Sequence, residues 1–186
     1  RSEVEQQRRC SFSPRPWQRA VLAAAMALWF AAQPLFGVPW HQGALLCVCG
    51  VAMASGVVCD LRARMIPLEC CAALLVAGGA YQLLRHGSIG IAEGAVAAAA
   101  VLAVCWTANR IARKSGGSVG FGDIRCMTAL AFACGPATLL GAAACYVSAC
   151  TFSIVGMLMH RLGRRDGIPM APFLSIWLAV GTTVLG

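Results

Sequence analysis

Among the seven acidic residues of this chain, Asp60 and Asp123 differ from the rest in their settings. Each stands in a punctuated segment at the edge of an apolar run, where a carboxylate is costly and by default a candidate for function. Asp60 closes one run and is followed by Arg62, Arg64 and the step Ile66-Pro67. Asp123 follows a glycine-rich stretch containing Gly120, Phe121 and Gly122, and precedes Arg125 and another apolar run. Two carboxylates within hydrogen-bond range cannot both ionise easily, so one keeps a shared proton while the other activates a water. That is the requirement for acid–base hydrolysis of a peptide without a metal. Gly120 and Gly122 are expected to take positive φ and bring backbone close to an extended peptide. A helix start and Arg125 both favour the anion at Asp123, which leaves the proton more often on Asp60, although a coupled pair is best described as a pair. The competing reading is that both acids only cap helices and pair with Arg62, Arg64 or Arg125. Single positions do not separate the two.

The remaining polar residues narrow the chemistry. Glu3, Glu5 and Asp166 lie in charged polar segments and read as solvated. Glu69, just after Pro67, favours the positive end of a helix and reads as a capping residue. Glu93 falls on the side away from the two aspartates. His41 and His86 lie there too, and His160 stands beside an arginine cluster, so no histidine is placed to activate a serine or cysteine nucleophile. The glycine-rich stretch lacks the Gly-Lys-Ser or Gly-Lys-Thr ending of a phosphate loop. Eleven cysteines contain no CxxC pair, so neither a zinc ribbon nor a thioredoxin-like motif is available. Most sit in apolar runs, where they act as small hydrophobes. Neither a metal nor a cofactor is expected. The formal charge of +8 is spread over short loops between apolar runs, which is the habit of membrane proteins and not of nucleic-acid binders.

The elements that must hold the two acids are membrane helices. With 59% hydrophobic and 12% charged residues and a mean hydropathy of +0.73, the 186-residue chain is too apolar for an ordinary soluble domain. Runs long enough for a bilayer predict helices at about 20–38, 43–59, 68–84, 89–108, 124–134, 137–159 and 170–186. The expected fold is all-α, a polytopic bundle of six or seven transmembrane helices. The fifth, 124–134, is short, and Gly135-Pro136 follows it. Residues 1–19 read as a cytosolic tail, 20–42 as an extra helix with a short outer loop, and 43–186 as the main membrane domain. If the tail is cytosolic and every helix crosses, all Lys and Arg residues except Arg85 fall inside, as the positive-inside rule asks. That requires the short fifth helix to cross as well. Asp60 then ends one helix and Asp123 begins another, both at the cytosolic face.

At these two segments the chain resembles the type IV prepilin peptidase family, membrane aspartyl proteases marked by a Gly-x-Gly-Asp motif. Gly120 to Asp123 matches that motif, Asp60 with Ile66-Pro67 matches the other catalytic segment, and Gly167 to Leu174 is similar to a Pro-x-x-Pro-Phe signature opening the last helix. The likeness spans roughly residues 43–186. The chain departs from the family in having Arg125 where lysine is usual, Leu68 where Asn or Asp is common, and Met170-Ala171 in place of Phe-Gly. Only Pro39 to Gly43 separates the first two predicted helices, which leaves no room for the cytosolic region with CxxC motifs that larger members associate with N-methylation. The resemblance implies a short-form endopeptidase of the cell membrane. It would cleave the basic leader of a prepilin or pseudopilin precursor at the cytosolic face, with Asp60 and Asp123 catalytic. Gly120, Gly122, Arg125 and Pro67 would position the substrate. Two alternatives stand beside it: a presenilin-like or signal-peptide-peptidase-like intramembrane protease, and a non-catalytic assembly factor of a pilus or secretion system. Oligomeric state is not readable from the residues.

Overall fold

The computed structural model describes residues 39–114, 120–159 and 168–183, with Leu28, Ala32 and Gly37 before them; side chains at positions 62 and 63 are not described. The tail 1–19, most of the helix expected over 20–38 and the basic cluster Arg161, Arg164 and Arg165 lie outside these residues. The described chain is helical, with no strand among the described residues. Its elements are α1 (Trp40–Ala63), α2 (Leu68–Lys114), α3 (Phe121–Cys134), a 3-10 turn (Gly135–Ala137), α4 (Thr138–Leu158) and α5 (Ala171–Thr183).

Helix α2 is not one straight rod. Gly78 and Gly94 would be about 24 Å apart in a continuous helix, yet both abut the end of α3. A methyl group added at Gly78 would overlap Ala133, and one at Gly94 would meet the Phe132 carbonyl oxygen at 2.6 Å. The chain doubles back at Gly87, whose φ of 64° and ψ of −146° belong to a region only glycine occupies comfortably. The two apolar runs expected at 68–84 and 89–108 are thus antiparallel halves of a hairpin, with Arg85 and His86 at its tip. The same happens after α3. Gly135 (φ 54°) ends that helix, and Tyr146 of α4 comes back to place its hydroxyl 3.7 Å from the Met127 sulfur, two positions that a straight helix would hold about 28 Å apart.

Short α3 is the centre of the bundle. Ile124, Cys126, Met127, Ala129, Leu130, Ala131, Ala133 and Cys134 are all buried, enclosed by both halves of α2 and by α5. Glycines permit the approach: Gly141 of α4 receives Trp177, and Gly181 of α5 sits against the Cys134 sulfur. Small residues at helix contacts are how membrane helices pack when apolar burial no longer drives them together. Conversely, bulky apolar residues such as Val76, Val96, Leu139 and Leu158 face outward. Three stretches, Trp40–Leu61, Leu68–Lys114 and Phe121–Leu158, are long and apolar enough to cross a membrane, and α5 is a shorter apolar helix.

Candidate active site

Asp60 does not end its helix. The turn continues to Ala63 and stops at Arg64, which takes a left-handed conformation (φ 52°, ψ 40°) and donates its N–H to the Asp60 carbonyl oxygen at 2.8 Å. The Asp60 side chain, 5% exposed, is covered by the start of α5. There Met170 accepts the N–H groups of Phe173 and Leu174 through its carbonyl, which makes Ala171 the first helical residue. The Ala171 N–H donates to Asp60 Oδ2 at 3.0 Å. A helix start leaves its first N–H groups without intrahelical partners, and here a carboxylate from a distant helix satisfies one. The capping expectation for Asp60 thus holds in a different form, because the helix it caps is α5.

Asp123 lies in the first turn of α3, three residues after Gly120, which precedes the helix. The expected positive φ is absent at both glycines: Gly120 is extended with φ −60° and ψ 137°, and Gly122 is helical. What they supply is space. A Cβ on Gly120 would stand 3.3 Å from Asp123 Oδ2, and one on Gly122 would stand 3.5 Å from the Ile66 nitrogen. The second distance is ordinary van der Waals contact, so a side chain would be crowded at Gly120 and not at Gly122. The Arg125 guanidinium lies over the Phe121 ring, 5.9 Å from its centroid, and that ring meets Trp106 edge-on at 6.4 Å.

A cavity of about 850 Å³ opens where these segments meet, walled by Arg64, Ile66 and Pro67 on one side and Gly120, Asp123 and Arg125 on the other. Gly122 and Glu69 also line it. Asp60, buried, stands one helical turn before Arg64, which is part of the wall. All six residues singled out by spacing (Asp60, Asp123, Gly120, Gly122, Arg125 and Pro67) therefore gather at one end of the bundle. Glu69, read as a cap, faces the same cavity. Spacing misses Ala171 entirely: the Pro-x-x-Pro-Phe likeness marks the opening of the last helix but not what that opening touches.

The other end of the bundle carries a smaller cavity of about 210 Å³ lined by Tyr81, Gln82, Arg85, His86 and Glu93 among others. Gln82 donates its side-chain amide to the Ala133 carbonyl at 2.9 Å and so closes the end of α3. Among the described residues no group of three or more His, Cys, Asp or Glu side chains is placed to hold a metal ion.

The model of the type IV leader peptidase family matches residues 44–185. The chain belongs to that family. Neither the curated proteins nor the solved structures gave a match. Membership of the type IV leader peptidase family supports a leader-peptidase-like hydrolase with prepilin-like substrates in general. Together with the long apolar helices it supports an integral membrane protein.

Proposed function

We propose that this type IV leader peptidase family member is a membrane aspartyl endopeptidase that removes the short basic leader of a prepilin or pseudopilin precursor. Asp60 and Asp123 are its catalytic pair. The observation that carries the reading is that α1 and α3, 63 positions apart in sequence at the two acids, come together at one end of the bundle, where Asp123 lines a cavity whose wall includes Arg64, one turn after the buried Asp60. The chain crosses the cell membrane six or seven times, with its N-terminus and the cavity on the cytosolic side. Residues 1–19 form a tail, 20–42 an added helix and outer loop, and 43–186 the peptidase domain. Gly120, Gly122 and Pro67 shape the cavity that takes the scissile segment, and Arg125 sets its charge. A precursor helix can stay in lipid beside the bundle while its leader enters from the cytosol.

The test is cleavage of a co-expressed prepilin-type precursor in membranes. Asp60→Asn and Asp123→Asn should each stop the loss of the leader, by a factor of at least about a hundred, the scale of a general acid–base contribution. Wild-type cleavage in both variants would overturn the assignment. Capture of uncut precursor by the wild-type protein would favour an assembly factor in its place.

A further inference from the structure

We infer that Glu69, at the start of α2, is a specificity-determining residue of the cavity, its carboxylate receiving one Lys or Arg side chain of the leader at a fixed distance from the scissile bond. This rests on the proposed reading of the chain as a leader peptidase and deepens it by naming what the cavity recognises.

Glu69 lies in the first turn of α2, two residues after Pro67. An acid there favours the positive end of its own helix, a role that asks nothing of its surroundings. Those surroundings are nonetheless the end of the bundle where Asp123 lies: Glu69 lines the same cavity of about 850 Å³ as Asp123. It is exposed, and among the described residues no Lys or Arg pairs with its carboxylate. Arg64 and Arg125 share the lining, but the Arg125 guanidinium is laid over the Phe121 ring, 5.9 Å from its centroid.

The path of the chain bounds the distance to Asp123. A Cβ on Gly122, the residue before Asp123, would stand 3.5 Å from the Ile66 nitrogen. Glu69 is three residues beyond Ile66, a stretch that spans at most about 11 Å. The backbones at Glu69 and Asp123 are therefore less than about 20 Å apart, the length of roughly six extended residues. A leader side chain held at Glu69 thus belongs to a residue within that many positions of the bond held at Asp123.

Charge sets the class of ligand. A carboxylate accepts hydrogen bonds and offers none, and it holds a cationic donor more strongly than a neutral one. Arg64 and Arg125 repel further cations, so the cavity favours a basic residue at one position and not a basic run along its whole length.

The test uses purified full-length protein in detergent–lipid micelles. Its substrates are prepilin-type precursors with a single Lys in an otherwise neutral leader, moved one position at a time through roughly six positions before the scissile bond. The wild type should show its lowest KM at one of them. There Glu69→Gln should raise KM about threefold to fivefold with kcat little changed, the scale of an exposed ion pair. With Lys elsewhere, or with none, the two proteins should have the same KM. Placing Glu at the preferred leader position should weaken binding to the wild type and favour Glu69→Lys, an exchange that a role at the helix start alone does not produce. Each variant is compared across leaders, so a loss of folded protein lowers every rate alike and does not imitate a change of preference. An unchanged KM at every position, or an equal rise on every leader, would overturn the inference. If Asp60→Asn and Asp123→Asn both remain active, the reading of the pair has failed. If they are inactive while Glu69→Gln keeps the wild-type preference, only the role given to Glu69 has.

Discussion

Around the two aspartates, single atoms set the geometry. Gly120 matters because a side chain there would press on Asp123 Oδ2 from 3.3 Å, whereas at Gly122 the nearest atom, the Ile66 nitrogen, lies at an ordinary 3.5 Å. On the proposed function, Gly120→Ala should therefore lower leader cleavage roughly tenfold by moving the Asp123 carboxyl a few tenths of an ångström. Gly122→Ala should cost less. Equal losses in the two variants, measured on the same precursor, would show that the Asp123 contact is not what glycine protects. The types and spacing of these residues announce the acid pair, but not their conformations. Positive φ at Gly120 is a fair guess from a glycine-rich loop, and it fails because closeness of Asp123, not backbone twist, is what a side chain there would meet. Arg64 is the reverse case, a non-glycine residue with φ 52°. Nothing in an arginine hints that it will end a helix left-handed.

At the scale of the helices, the turns decide which segments pack together. Gly87 reverses α2 with φ 64° and ψ −146° and has no atom within 4 Å of an added Cβ, so conformation and not crowding demands glycine. Gly87→Ala should destabilise the protein by roughly 1–3 kcal/mol, visible as a lower thermal midpoint in detergent. An unchanged midpoint would mean that the reversal does not depend on this torsion. Apolar run lengths place helices near 68–84 and 89–108, and the hairpin bears that division out. The extension of α1 past Asp60 to Ala63 escapes a reading by hydropathy, since its last turn is polar in sequence and held by tertiary contact. The junction of Asp60 with α5 escapes it too: residues 111 positions apart are joined by packing, for which periodicity carries no signal.

Across the whole molecule, charge and packing agree on which residues share an end. The described tip of the α2 hairpin carries Arg85, while Arg64, Arg125 and the end of α2 at Arg113 and Lys114 lie toward the two aspartates. With basic residues held inside, a reporter fused after His86 should be active only outside the cell membrane and one fused after Lys114 only inside. The reversed pattern would refute the orientation, and both reporters on the same side would refute the crossing between them. One dimension of the fold then bears on how the membrane meets the protein. The 14 residues of α3 rise about 21 Å, against a hydrocarbon thickness of roughly 30 Å. Because α3 is enclosed by both halves of α2 and by α5, the shortfall falls inside the bundle and not against lipid. Since Asp123 and its cavity lie at one end of α3, a short central helix is expected to set that cavity into the bundle, below the level of its longer neighbours.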